Sequence, residues 1–257
     1  MDALRIERDD DVLRIVLARP ETRNAFDGAA IAELAEAFVD VGKARAVVLV
    51  GEGQSFCAGA DIEWMRQSVS LGHDENVADA NALRRMFDAI DSCPAPVIAV
   101  VQGHALGGGA GLVATADIAL AHERAVFGFS EVKLGITPAV ISPYVLRKIG
   151  AGHAQALFTT AVRFDAERAM RIGLVHEVVE PARLDHAVAD AVLAFLECGP
   201  DAIAETKRLL RDATAHLRLP DLPERLAAAR AGPEAQEGLA AFLEKRKPRW
   251  APDRSAS

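Results

Sequence analysis

Two turns built from small residues are the segments of this sequence that could carry chemistry. They are Ser55–Ile62 and Gly103–Gly111, and each follows a short apolar run and leads into a predicted helix. The N–H groups at a helix start have no partner within the helix and lie at the positive end of its dipole, so they suit an oxyanion. Two such turns on neighbouring strands could therefore meet at one carbonyl oxygen. Each turn taken alone equally suits a tight bend that needs glycine.

Common cofactor and nucleophile motifs do not fit these turns. The run Gly107–Gly111 lacks the last glycine of a dinucleotide-binding motif because Leu112 stands there, and Gly128–Val132 lacks the closing glycine of a nucleophile elbow. No Gly-Lys-Ser or Gly-Lys-Thr of a P-loop occurs. The cysteines Cys57, Cys93 and Cys198 form no C-x-x-C pair. We therefore expect neither a disulfide framework nor a metal site.

Alternating strands and helices must position the two turns. The predicted strands are Leu4–Glu7, Val12–Ala18, Ala46–Val50, Val97–Val101 and Ile118–Ala121. Helical patterns follow Asp27, run from about Val77 to Ile90 and recur briefly at Leu112–Ala114, whereas Ser68–Glu75 is a polar connection. From about Pro200 the pattern is helical only. The sequence thus predicts an α/β fold with a largely parallel sheet, divided into a core at 1–199 and a helical C-terminal region at 200–257.

Composition excludes several classes of protein. The 257 residues carry a net charge of −8, which argues against a general nucleic-acid binder. Apolar runs stay below the ~18 residues that cross a bilayer, so no membrane partner is expected. The first residues, MDALRIERDDD, are acidic where a signal peptide would be basic. These features together predict a cytoplasmic protein with a sizeable core.

The two turns, in this order and spacing, resemble those of the crotonase family, the enoyl-CoA hydratases and isomerases. The likeness covers nearly the whole chain and includes Arg19–Phe26, both turns, Phe129–Ile136 and Phe242–Lys247. It implies the crotonase (ClpP-like) spiral of ββα turns, with a helical C-terminal region that trimerises. The implied assembly is a homotrimer or a dimer of trimers. An acyl-coenzyme A thioester is then the substrate, and no separate cofactor is implied.

The resemblance also assigns roles to residues by their position. It implies that the N–H groups of Ala60 and Gly108 stabilise a thioester enolate, and that Glu131 is one of the two catalytic glutamates of the hydratases. Among the binding residues, Lys245 matches a lysine that holds the coenzyme A phosphates, and Phe242 matches a residue near the acyl pocket. The full implied binding set is Arg23, Ala25, Ala58, Asp61, Ile62, Leu106, Gly111, Phe242 and Lys245.

One glutamate of the hydratases is missing. It would fall at Gly111, and addition of water needs activation at one carbon and protonation at the other. Three functions therefore stay open: hydration of an enoyl-CoA, Δ3,Δ2-enoyl-CoA isomerisation with Glu131 as the single base, and acyl-CoA binding without turnover. Gly111 favours isomerisation and keeps the binding function open, whereas the retained Glu131 argues against binding alone.

The run Pro138–Tyr144 favours hydration. The longer run Ser130–Gly150, which contains it, resembles a bacterial subgroup assigned to methylglutaconyl-CoA or isohexenylglutaconyl-CoA hydration. This resemblance implies a branched or carboxylated enoyl-CoA. A cation or hydroxyl near the acyl pocket would then be expected, and Ser142, Tyr144 and Arg84 are the candidates. A buried Tyr144 that satisfies its hydroxyl locally is the alternative to a binding role.

Overall fold

Two sheets form the framework of the protein. The computed structural model describes residues 3–68, 70–215 and 233–251, and at 215, 235, 236, 239, 242 and 243 it describes the backbone alone. The strands are β1 (Leu4–Asp9), β2 (Val12–Leu17), β3 (Ala46–Gly51), β4 (Val97–Val101), β5 (His104–Leu106), β6 (Ile118–His122), β7 (Val126–Gly128), β8 (Phe164–Asp165) and β9 (Glu177–Val179). The larger sheet has the order β1-β2-β3-β4-β6-β9 and is parallel beyond the β1–β2 hairpin. The smaller sheet has the order β5-β7-β8.

Helices cover both faces of the larger sheet. They are α1 (Gly28–Val39), α2 (Ile62–Ser68), α3 (His73–Ser92), α4 (Gly108–Thr115), α5 (Ser142–Thr160), α6 (Ala166–Arg171), α7 (Leu184–Leu196), α8 (Pro200–Ala215) and α9 (Pro233–Leu243). Short 3-10 helices lie at Pro20–Thr22, Glu131–Leu134 and Pro181–Arg183. This arrangement confirms the predicted α/β fold.

The apolar runs are continuous because the central strands are buried on both faces. In β3, Val47 and Leu49 point into the main core with α1 and α3, whereas Val48 and Val50 point to a second apolar cluster that α7 covers. Strand β4 alternates in the same way. Full burial of each such side chain contributes about 1.5–3 kcal/mol, so the sheet is a rigid base for the turns at its edge.

A repeated ββα unit produces the spiral. Strand β4 continues through β5 into α4, and β6 continues through β7 towards α5. The chain after β3 follows the same path, since Cys57 bridges to Ala105 in β5 before α2 begins. These second strands have three residues or fewer. Such short segments carry no readable periodicity, which explains why the sequence did not predict β5, β7, β8 and β9.

The start of α3 differs from its prediction. The helix begins at His73, not near Val77, so Ser68 and the residues 73–75 of the polar stretch Ser68–Glu75 belong to helix ends. The carboxylate of Glu75 accepts a hydrogen bond of 2.8 Å from the Gly72 N–H, and it therefore caps the first turn. Polar residues at a helix start act as caps, and here that composition was interpreted as a loop. Helix α4 is also longer than predicted, because its glycines at 108, 109 and 111 are helical.

The C-terminal helices are tied to the sheet by side chains. Lys207 of α8 donates to the Ala95 carbonyl at 3.0 Å and pairs with the Asp117 carboxylate. Helix α8 begins at Pro200, where the sequence predicted the change to a helical region. The division into 1–199 and 200–257 stays a prediction, and residues 216–232 and 252–257 of it lie outside the described residues.

Asn24 fixes the chain that leaves the first hairpin. Its side chain is 3% exposed and accepts from the Arg19 N–H at 2.9 Å. Its amide donates to the carbonyls of Glu52 and Ser55, at 2.9 and 2.8 Å. The backbone of Asn24 has φ of 56°, a left-handed conformation that asparagine tolerates better than most residues. One side chain thus joins the segment before α1 to the loop after β3.

We expect Asn24→Ala to lower the free energy of unfolding by about 3 kcal/mol, because it leaves buried groups without partners and strains the backbone. Urea denaturation measures the change. Thr22→Ala is the control, since the exposed Thr22 hydroxyl makes a single local bond to Arg19, and it should cost less than about 1 kcal/mol. Equal losses in the two variants would contradict this role of Asn24.

Candidate active site

The turn after β3 is fastened to β5 through the backbone. Cys57 donates to the His104 carbonyl at 2.9 Å, and the Leu106 N–H donates to the Cys57 carbonyl at 3.0 Å. Gly59, with φ of 94°, then brings the chain close to the next turn. A Cβ on Gly59 would lie 2.7 Å from the Leu106 carbonyl oxygen and 3.5 Å from the Gly108 nitrogen. Only glycine allows this approach.

Ala60 is left with an available N–H group. Phe26 donates to the Gly59 carbonyl at 2.9 Å, and the Asp61 N–H donates to the Phe26 carbonyl at 3.0 Å. This parallel bridge uses the residues on either side of Ala60. Within the described chain the Ala60 N–H has no acceptor.

Gly108 supplies a second available N–H group. It is the first residue of α4, and within the described chain its N–H has no acceptor. The preceding Gly107 has φ of 52° and donates to the Gly128 carbonyl at 2.8 Å. A Cβ on Gly108 would lie 2.3 Å from Cζ of Phe26. Small residues in both turns therefore let the two turns approach closely, and Ala60 and Gly108 line the same cavity.

A cavity of about 380 Å³ lies over these two residues. Its lining is mostly apolar, with polar side chains from Ser68, Asn76, Asp79, Glu131 and Thr137. Among its described lining residues there is no lysine, arginine or histidine. The full lining is Phe26, Ala60, Trp64, Met65, Ser68, Asn76, Asp79, Ala80, Leu83, Gly108, Glu131, Ile136, Thr137, Pro138, Ala139, Val140 and Ile141.

Glu131 lies beside the second turn. It opens the 3-10 helix that follows β7, and its Oε1 would be 3.4 Å from a Cβ on Gly107. Its Oε2 is buried and has no hydrogen-bond partner in the described chain. Burial raises the pKa of Glu131 above its ordinary value, and a bond to its own backbone only partly offsets this. A raised pKa lets a carboxyl group hold a proton that it can give to a reacting atom.

The place of a second glutamate is filled by apolar atoms. Gly111 is buried in α4, and a Cβ there would lie 2.5 Å from Cγ2 of Ile141 and 3.1 Å from Cε1 of Phe87. Ile141 also lines the cavity. The packing of Ile141 and Phe87 against Gly111 therefore leaves no room for a glutamate carboxylate at that position.

Several predicted binding residues lie elsewhere on the surface. Arg23 is exposed and lines a separate polar groove of about 400 Å³ with Ser55 and His104. Ala25 is buried, and Ala58 and Leu106 are half-buried. The Asp61 carboxylate accepts from the N–H groups of Glu63 and Trp64 and so caps α2, whereas Ile62 is 72% exposed. Lys245 is exposed, and the side chain of Phe242 lies outside the described residues.

The candidate partners for a carboxylated acyl chain are engaged away from the cavity. The Tyr144 hydroxyl donates to Asp88 at 2.6 Å, which confirms its local satisfaction. Arg84 pairs with the same Asp88 carboxylate at 3.4 Å, and the Ser142 hydroxyl donates to the Ala139 carbonyl at 2.8 Å. None of the three lines the cavity.

Sequence reasoning missed Asp79 and Trp64. Asp79 lies on α3 in line with Leu83 and Phe87, at the spacing of one helix face. The sequence did contain a signal for Asp79, because its carboxylate occupies a position on the helix face of Leu83 and Phe87 where an apolar side chain is usual. Trp64 followed the glycine-rich turn too closely to stand out from it.

Comparison with known proteins identifies the family. A model of the enoyl-CoA hydratase/isomerase family matches residues 7–253. The chain belongs to this family. It is 34% identical to a crotonyl-CoA hydratase of Syntrophomonas wolfei, over 94% of this chain and 95% of that protein. It is also 34% identical to the mevalonyl-coenzyme A hydratase sidH of Aspergillus fumigatus, over 95% of this chain and 92% of that protein.

Solved structures of the family share the fold. The crystal structure of an enoyl-CoA hydratase from Shewanella pealeana superposes with a TM-score of 0.92 at 40% identity, and the match covers 96% of each chain. The predicted crotonase fold is therefore confirmed. Among the described residues, no helix is long and apolar enough to cross a membrane, and no cluster of potential metal ligands occurs.

We expect Gly111→Glu to destabilise this family member by about 1–3 kcal/mol, because the new side chain overlaps Ile141 and Phe87. Urea denaturation measures the loss. Adding Ile141→Ala to the same variant should restore part of the stability, since it removes the nearest overlapping atom. A Gly111→Glu protein as stable as the wild type would show that the site has room for a second carboxylate.

The raised pKa of Glu131 predicts a pH-dependent stability difference. The wild type loses stability as the pH rises through the folded-state pKa, whereas Glu131→Gln carries no charge to bury. The variant should therefore gain stability over the wild type as the pH rises above the ordinary carboxyl pKa of about 4, measured by urea denaturation. Glu21→Gln, at an exposed position, is the control and should show no such trend. A difference that is constant with pH would contradict the burial of this carboxyl.

Proposed function

We propose that the protein is a hydro-lyase that adds water across the double bond of a 2-enoyl-CoA. The observation that carries this proposal is the meeting of two available N–H groups, from Ala60 and Gly108, with the buried carboxyl of Glu131 in one apolar cavity. The thioester oxygen would accept both N–H groups, which stabilises the charge that develops on it as water attacks C3. Glu131 would exchange a proton with C2 of the resulting enolate.

An uncharged acyl chain suits the cavity best. A distal carboxylate would find no cation among the described lining residues, and it would face Asp79 and Glu131 instead. Burial of an unpaired charge is costly. The crotonyl-CoA and mevalonyl-CoA hydratases among the relatives are named for acyl groups without a carboxylate at the far end. We therefore propose a short or branched, uncharged 2-enoyl-CoA as substrate.

Isomerisation is the second candidate activity. The packing of Ile141 and Phe87 around Gly111 favours it, because one carboxyl at Glu131 suffices to carry a proton between two carbons. The same cavity would hold the 3-enoyl substrate.

Coenzyme A binding and assembly complete the proposal. The polar groove at Arg23 and the exposed Lys245 supply positive charge for the coenzyme A phosphates. Large apolar side chains are exposed near the cavity, among them Ile62, Leu134 and Ile136. They suit an interface between copies of the chain, in keeping with the predicted trimer or dimer of trimers. A cytoplasmic location stays a prediction.

The test measures whether oxygen from water is incorporated into the product. The protein is incubated in 18O-labelled water with crotonyl-CoA, but-3-enoyl-CoA and 3-methylglutaconyl-CoA, and products are followed by mass. Label at C3 of crotonyl-CoA supports hydration, and a shifted double bond without label supports isomerisation. Glu131→Gln should lower turnover by at least about 100-fold while coenzyme A affinity is retained. Tight coenzyme A binding without any product would overturn both activities, and preferential use of 3-methylglutaconyl-CoA would overturn the uncharged chain.

A further inference from the structure

Asp79 is a second carboxyl group at the candidate active site. It projects from α3 into the same cavity as Glu131, which belongs to a different element. It is half-buried, and the Trp64 indole lies near its carboxylate. Burial raises the pKa of Asp79 above its ordinary value, although the nearby Trp64 indole works in the other direction. Among the described lining residues, Asp79 and Glu131 are the two that ionise in the acidic range.

Hydration needs two proton transfers at different atoms. One group takes a proton from the attacking water, and another delivers a proton to C2. Glu131 lies against Gly107, next to the N–H of Gly108, and is therefore placed for the carbon beside the thioester. Position 111 is closed by Ile141 and Phe87, so the water needs a base from elsewhere in the cavity.

We propose that Asp79 is this base and acts in place of the glutamate that is missing at position 111. The inference rests on the proposed hydration. A carboxylate has roughly four acceptor positions, and the single N–H of the neighbouring Trp64 indole can occupy only one of them, which leaves others for water. The alternative assignment, in which Asp79 only contacts the acyl chain, predicts altered substrate preference without a selective loss of water addition.

The proton and electron balance is complete without another reactant. The Asp79 carboxylate takes a proton from water as the water oxygen bonds to C3. The electron pair of the C2–C3 double bond moves towards C1, and the thioester oxygen gains the charge under Ala60 and Gly108. The pair then returns as C2 takes the proton of the Glu131 carboxyl group. The proton on Asp79 leaves through solvent, to which this side chain is partly open, and Glu131 regains one before the next turnover.

The experiment separates water addition from enolisation. Hydration of crotonyl-CoA requires both groups, whereas exchange of the C2 hydrogens of butyryl-CoA in heavy water requires only Glu131 and the two N–H groups. The variants are Asp79→Asn, Asp79→Ala and Glu131→Gln. Asp74→Asn is the matched control, because Asp74 is an exposed acid on the same helix and does not line the cavity. Thermal melts and coenzyme A titrations confirm that each variant is folded.

We expect the Asp79 variants to lower kcat for hydration by at least about 100-fold while C2 exchange stays within about fivefold of wild type. Glu131→Gln should lose both reactions, and Asp74→Asn should lose neither. Equal losses of hydration and exchange in both Asp79 variants would assign Asp79 a structural role and overturn the proposal. Unchanged hydration, or a change confined to the choice of acyl chain, would overturn it too. Wild-type protein that exchanges C2 hydrogens but adds no water would overturn the proposed hydration itself, and the role of Asp79 with it.

Discussion

The backbone pairing between Cys57 and β5 is the constraint on which the site depends. It fixes the turn after β3 against the turn that opens α4. The positive φ of Gly59 then turns the chain so that the Ala60 N–H has no acceptor among the residues that the structure describes. Any Cβ at Gly59 would press on the Leu106 carbonyl and separate the turns. The framework therefore holds both N–H groups in place, and in the proposed reaction they would need no reorganisation as charge develops on the thioester oxygen.

Burial raises the pKa values of the two carboxyl groups at the site. An apolar cavity with two carboxyl groups and no cation among its described lining residues disfavours negative charge, and the pKa values of Asp79 and Glu131 are raised for this reason. A raised pKa lets a carboxyl group hold a proton that it can transfer. The same environment would strengthen a hydrogen bond to a developing oxyanion, since the local dielectric is low. In the proposed reaction, acid–base chemistry and oxyanion stabilisation would thus depend on one apolar lining.

Packing explains the departure at position 111. Gly111 is part of the core, where Ile141 and Phe87 occupy the volume that a longer side chain would need. Phe87 belongs to α3, the helix that also carries Asp79, so the helix that closes one position presents a carboxylate at another. The loss of one acid and the presence of the other are therefore features of the same packed helix.

The sequence by itself determined the α/β class, the long buried strands and the two turns, because continuous apolar runs and clustered glycines have few structural interpretations. It also predicted Glu131 through its motif. The family resemblance likewise named Ala60 and Gly108, whereas the tertiary structure alone decided that Gly111 is closed and that Asp79 faces the cavity. These properties depend on atoms far apart in the chain, such as Ile141 against Gly111 and Trp64 against Asp79. Local patterns carry no information on such contacts, because the contacts form only when separate elements pack together.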